Sequence, residues 1–164
     1  MIKELQEIDF KIFKPSDLKI GTIEKDHDNV DYCGVSIWFE NFKMKFRMAK
    51  ITPKKTGQFV TLWKKNFAHK NEPYHLDDDF DYFIIATKEH QRFGFFFFPK
   101  QVLVKHSILS SDNKVGKMGF RVYPVWDNPT NKQAARTQQW QGKYFVDFAD
   151  TDQHYLDKFK SILM

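Results

Sequence analysis

Two almost unbroken apolar stretches, Tyr82 to Ala86 and Phe93 to Pro99, constrain this chain more than any other feature of its sequence. Both fall far short of the roughly 20 residues that a membrane span needs. A strand with one wet face alternates apolar and polar residues, whereas a continuous apolar run belongs to a strand covered on both faces. Tyr82 to Thr87 and Phe93 to Phe98 are therefore expected at the centre of a sheet. With 18 Phe and 41% hydrophobic residues, the chain has the material to cover such a sheet.

The flanking segments supply the other layers. Met1 to Leu18 reads as an amphipathic helix, and Lys25 to Asp31 as a charged loop. Val35 to Phe39 and Lys43 to Ile51 alternate as strands around a turn at Asn41, and Gln58 to Trp63 follows a turn at Pro53 to Gly57, which suggests a meander. Lys65 to Asp79 reads as a loop, Gln101 to Leu109 as a short helix or strand, Ser110 to Gly119 as a polar loop, and Phe120 to Val125 as a strand. Asp127 or Asn128 is expected to cap a helix with Pro129 in its first turn, running to about Phe148. At 164 residues the chain is one domain's worth, residues 1–164. The expected class is α/β, with a mixed sheet flanked by helices.

Cys33 is the single cysteine, so no intramolecular disulfide forms and a reducing compartment is expected. Charged residues are scattered through Met1 to Phe13, unlike a signal peptide, which leaves the cytoplasm as the expected location and no membrane partner.

The formal charge of +5 is distributed unevenly. From Lys43 to Asn66 stand eight basic residues and no acid; from Glu72 to Glu89 six acids face Lys88; from Arg92 to Lys143 nine basic residues face Asp112 and Asp127. Two basic segments that converge would make a polyanion footprint, and two that do not would be solvated edges. If Lys43 to Ile51 is one strand, Lys43, Lys45 and Arg47 share one face, and Lys50 falls with Met44, Phe46 and Met48 on the apolar face. Lys50 then snorkels, pairs with an acid or meets an anion, unless a bulge at Ala49 returns it to solvent. On the last helix, Lys132, Arg136, Gln139 and Lys143 form a basic stripe, and Trp140, Tyr144 and Phe148 an aromatic one expected in the core. Arg121, Tyr123 and Trp126 suit either sheet packing or the stacking of bases and gripping of phosphates.

The six histidines and single cysteine lack metal-ligand spacing, and no Walker A loop, dinucleotide-binding glycine pattern or nucleophile elbow occurs. Asp77, Asp78, Asp79 and Asp81 are the one acidic cluster, more in keeping with a solvated turn than with a magnesium site.

Several motifs in order resemble the MepB family. They are Phe46-Arg47-Met48-Ala49-Lys50-Ile51-Thr52-Pro53-Lys54-Lys55, Gly57 to Lys64, Asp81 to Ile85, Phe93-Gly94 through Phe98-Pro99-Lys100, and Gly119 to Pro124 with Trp126-Asp127. Asn131 to Ala134, Thr137-Gln138, Trp140-Gln141 and Tyr144-Phe145 complete the pattern, which covers about Tyr32 to Phe148. The resemblance implies a fold similar to PD-(D/E)XK nucleases, in which an Asp on one strand and an acid-x-Lys on the next hold magnesium. Here Met48-Ala49-Lys50 stands at the acid-x-Lys position, so the lysine is kept and the carboxylate is not. Val35 to Phe39 has no Asp either, and Phe98-Pro99-Lys100 lacks an acid in register. No cofactor, metal or catalytic residue is therefore expected.

The expected function is a non-catalytic nucleic-acid-binding domain, with DNA or RNA as partner. Its contacts would be Lys50, Lys54, Lys64, Lys100, Arg121, Lys132 and Arg136, with Tyr123 or Trp126 stacking. An enzyme acting on an anionic small molecule, with Lys50 and Arg121 as anion ligands and Asp81 as base, and a protein-interaction adaptor are the alternatives.

Overall fold

The computed structural model describes residues 1–163. Its centre is a six-stranded sheet made of β1 (Thr22–Lys25), β2 (Val35–Trp38), β3 (Lys43–Met48), β8 (Tyr82–Glu89), β9 (Arg92–Pro99) and β11 (Phe145–Asp147), in the order β1-β2-β3-β8-β9-β11. Only β3 and β8 run parallel; every other pair is antiparallel, so the sheet is mixed. The two apolar strands occupy the interior, as their composition requires. Alternate residues of each serve opposite cores: Ile84, Ala86, Phe95 and Phe97 face one side, Phe83, Ile85, Phe96 and Phe98 the other.

The first side is covered by the two ends of the chain. Leu5, Ile8, Ile12 and Phe13 project from α1 (Lys3–Ile8) and from the wider and tighter helical turns that continue it, Asp9–Phe13 and Lys14–Ser16. Phe159 of α4 (His154–Ile162) inserts its ring among Phe13, Phe95 and Phe97. No helix is long and apolar enough to cross a membrane among the described residues.

On the second side lies a smaller sheet of β10 (Gly119–Val122), β5 (Gln58–Thr61) and β4 (Lys50–Ile51), with a hairpin of β6 (Trp63–Lys65) and β7 (Asn71–Pro73) beside it. The helices α2 (Lys100–Lys105) and α3 (Lys132–Gly142) complete this layer. Val60, Leu62, Phe120, Val122 and Leu103 pack down on Phe96 and Phe98. The whole is one α/β domain with helices on both faces of a mixed sheet.

Four expectations change. The meander does not form: β3 pairs with β8, and β5 leaves for the second sheet. The Ala49 N–H, donating to the Ala86 carbonyl, makes the last ladder bond of the third strand, after which Lys50 pairs with Phe59 and is exposed, off the apolar face. The α3 helix is shorter than expected at both ends. Asn131, extended at φ −122° and ψ 161°, is its cap and accepts from the Ala134 N–H at 2.8 Å, because the chain turns first around Pro124 to Asp127. The helix stops at Gly142, a poor helix former, and the β-forming run from Phe145 pairs with the open edge of β9. Phe148 therefore leaves the helix that carries Trp140 and packs its ring on Phe93.

Candidate functional site

The fold scatters the basic segment from Lys43 to Lys65. Lys45 and Arg47 of β3 point toward the second layer, and because β3 is an interior strand neither reaches water freely: Arg47 is 0% exposed and Lys45 9%. A buried cation needs a counter-charge. Asp26, just after β1, supplies it. Arg47 Nη1 donates to Asp26 Oδ2 at 2.7 Å and to the Phe46 carbonyl at 2.8 Å, while Lys45 Nζ donates to the same Oδ2 at 3.1 Å and to Ser36 Oγ at 2.9 Å. Ser36 Oγ in turn donates to Asp26 Oδ1 at 2.8 Å, and Arg47 Nη2 to the Tyr74 hydroxyl at 3.3 Å. Gly34 makes room for the guanidinium: a Cβ there would stand 2.7 Å from Nη1 and 2.9 Å from Cζ.

The charges in this cluster act on one another. Burial works to raise the Asp26 pKa, but the charges of Arg47 and Lys45 and the hydrogen bonds from Ser36 and Arg47 outweigh it, so the carboxyl is held below its ordinary value. Lys45 gains no matching increase. Burial, joined by the like charge of Arg47, holds its ammonium below the usual lysine value despite Asp26, and Arg47 makes the closer contact with the carboxylate, 2.7 Å against 3.1 Å. Burial also pushes the Tyr74 phenol up to about 12. The cluster is satisfied from within, apart from Arg47 Nε, which finds no partner.

The exposed part of the same segment behaves differently. The loop between β4 and β5 carries Lys54 and Lys55, both exposed, and meets β10 and the start of α3 in a cleft of about 360 Å³ lined by Lys54, Lys55, Thr56, Arg121, Tyr123, Thr130, Asn131 and Ala134. No acidic residue lines it. Arg121 ties the loop in place, donating from Nη2 to Thr52 Oγ1 at 2.6 Å and from Nη1 to the Thr56 and Gly57 carbonyls at 3.4 and 3.3 Å. Gly57, at φ +85°, adopts a turn open to glycine and lets the Tyr123 ring lie flush on the backbone, where a Cβ would be 2.7 Å from the ring. From α3, the buried Gln141 accepts from the Tyr123 N–H at 2.8 Å and donates to the Arg121 carbonyl at 2.9 Å, clamping the strand end that presents both side chains. Gln138 does the same for the following turn, donating to the carbonyls of Pro124 and Asp127.

The basic segments of the two halves thus meet here, through Lys54 and Lys55 from one and Arg121 from the other. The start of α3 adds the positive end of its helix dipole. Lys50, Phe59 and Arg121 are cross-strand neighbours in the small sheet, and the Lys50 ammonium sits 4.7 Å above the Tyr32 ring. An adjoining hollow of about 330 Å³ shares Lys54, Lys55 and Thr56 but carries Glu89 and Asp127; burial and then Glu89 raise the Asp127 pKa.

The other residues expected at the site lie elsewhere. Lys64 is ion-paired with Asp78 and lies 3.8 Å from Glu72, and Lys100 donates to the Asp78 carbonyl, so these two gather at the acidic loop. Trp126 packs edge-on against Phe145 with its indole N–H buried, which leaves Tyr123 as the aromatic group at the cleft. Lys132 and Arg136 are exposed on α3 outside the cleft lining. Asp81 accepts from the Lys43 N–H at the opening end of β8, whereas Lys50 lies beyond the far end of β3, roughly 20 Å away by strand rise. Lys50, Arg121 and Asp81 are not brought together. Met48, at the acid-x-Lys position, is packed against the first core, and Ala49 and Lys50 stand where the strand breaks.

Among the described residues, His75, Asp77 and Asp112 are the one grouping with metal-like spacing, their ligand atoms within 4.8 Å of one another. The two carboxylates are exposed, and His75 Nδ1 already accepts from the Asp77 N–H at 3.0 Å.

The sequence reading missed Asp26, Ser36 and Tyr74. Lys45 and Arg47 on one face of a strand were the available signal, but it speaks only once β3 is known to be interior.

Comparison with known proteins agrees with this architecture. The chain is similar to a crystal structure titled MepB, at 36% identity and a TM-score of 0.80, covering 92% of this chain and 100% of the other. A bacterial homing endonuclease, I-Ssp6803I, aligns over 84% of each chain at 13% identity and a TM-score of 0.45. No curated protein sequence matches. The MepB-like family model matches residues 26–147, from the aspartate paired with Arg47 to the last strand of the sheet. With that span, and with a solved MepB structure this similar along nearly its whole length, the chain belongs to the MepB-like family.

Proposed function

We propose that this protein is a non-catalytic nucleic-acid-binding domain with a nuclease-like fold whose metal-holding carboxylates are replaced. The reading rests on one observation above all: Lys54, Lys55 and Arg121, drawn from distant segments, line one cleft that has no acidic residue. Exposed cations that form no ion pair attract polyanions, and a phosphate backbone is such a ligand. The chemistry of a metal-dependent nuclease has no support at the position where it is expected, because the Met48 side chain carries no oxygen and Asp26, a half-buried carboxylate, is held by Arg47 and Lys45. The enzyme reading built on Asp81 is weakened by the separation of Asp81 from Lys50 and Arg121.

Fluorescence anisotropy with a short labelled DNA or RNA oligonucleotide tests the proposal. Three phosphates neutralised by Lys54, Lys55 and Arg121 give a slope of about −2 in log K against log salt for a single strand. Binding is expected to weaken about 20-fold between about 50 and about 200 mM salt. No binding at the lower salt would overturn it.

A further inference from the structure

A second cleft, of about 300 Å³, adjoins the basic one and shares Arg121, Tyr123, Asn131 and Ala134 with it. Apart from Lys117, its remaining lining is of another kind. Phe120 and Trp140 contribute aromatic surface, and His106 lies flat against Trp140 with ring centres 3.7 Å apart and planes 5° from parallel. Partial burial, with Lys105 and Lys143 nearby, holds the imidazole pKa below the usual histidine value, which favours the uncharged ring. Gln133 and Thr137, one turn apart on α3, add polar groups at the rim. The Gln133 amide and the Asn131 NH₂ make no hydrogen bond among the described residues, and the Thr137 hydroxyl, which donates to the Gln133 carbonyl, keeps its acceptor capacity.

Aromatic walls with a few unengaged amide and hydroxyl groups are the surroundings in which proteins hold an unstacked base by its face and edge. The volume is at the lower end for small-ligand sites, which suits a single base rather than a larger group. The shared wall places that space directly beside Lys54, Lys55 and Arg121, as the covalent connection between a base and its phosphates requires. Resting on the nucleic-acid reading above, we infer that the site takes an unpaired nucleotide, with one base in the cleft beside Trp140 and its flanking phosphates over Lys54, Lys55 and Arg121. A paired base reaches the same cleft only after leaving its stack, which costs binding free energy.

The test uses the full chain and a short oligonucleotide carrying 2-aminopurine, offered once as a single strand and once as a blunt duplex. The single strand is expected to bind at least about tenfold tighter, the least that this unstacking cost implies. Its 2-aminopurine emission should change on binding. Thr137→Trp fills the cleft and is expected to remove the preference for the single strand while the salt dependence persists. Gln133→Ala, which adds no bulk, should reduce the same preference if Thr137→Trp fails to fold. Salt-dependent binding in which the duplex is equal to or tighter than the single strand would overturn the inference and leave the nucleic-acid reading standing. Absence of binding to both at low salt would overturn the two together.

Discussion

In the cluster beneath β3, Arg47 and Lys45 share one carboxylate and are shut off from water; in the cleft beside α3, Lys54 and Lys55 stand exposed with no carboxylate in the lining. These four residues come from one short basic stretch without an acid among them. What divides them is topology. An interior strand forces its cations into the protein, where they must be paired, while a turn between two short strands leaves its cations to solvent or a ligand. The buried group therefore acts on stability, and the exposed group is the one available for binding.

Removing the buried charge should have the largest effect. Arg47→Met leaves Asp26 with Lys45 as its single cationic partner, and breaking a buried pair costs about 3 kcal/mol. A urea titration should show that loss as a lowered midpoint with an unchanged slope, and a midpoint within error of wild type would break the comparison. Next in size, Gly34→Ala drives a methyl into a guanidinium that Asp26 and the Phe46 carbonyl hold fixed, for about 2 kcal/mol by the same measurement.

A third effect is a slope rather than a step. Because the folded state holds the Asp26 carboxyl below its ordinary pKa, its contribution is fully present above the unfolded value near 4 and is lost as pH falls through the lower folded value. Urea midpoints followed into acid should fall less steeply for Asp26→Asn than for the wild type, and parallel profiles would contradict the pairing. Smallest of all in stability is the double variant Lys54→Ala with Lys55→Ala, expected within about 0.5 kcal/mol of wild type. The same variant sharpens the comparison, because its log K against log salt plot should be shallower by about 1.4, two phosphate contacts of a single strand.

Much of the fold was legible beforehand. The continuous apolar runs of β8 and β9 announce interior strands, and the helix at the start of the chain follows from its spacing. Non-local pairing was not legible. That β3 lies alongside β8 rather than β5 depends on residues 38 positions apart, and from it follow the burial of Lys45 and Arg47 and the role of Asp26. The site was readable in part for the same reason. Lys54, Arg121 and Tyr123 do come together, because the loop and β10 flank the same strand, β5, whereas Lys64 and Lys100 went to Asp78, whose position no local pattern reveals. Trp126 illustrates a further limit: an aromatic residue after a strand reads alike whether it faces the core or a ligand.

An amide NMR titration of the full chain with a short single-stranded oligonucleotide bears on both regions at once. Shift changes are expected at Lys54, Lys55, Gly57, Tyr123 and Asn131, with Gly34, Ser36, Lys45 and Arg47 unmoved. Changes concentrated on Gly34, Ser36, Lys45 and Arg47, with the cleft silent, would overturn the cleft as the binding surface.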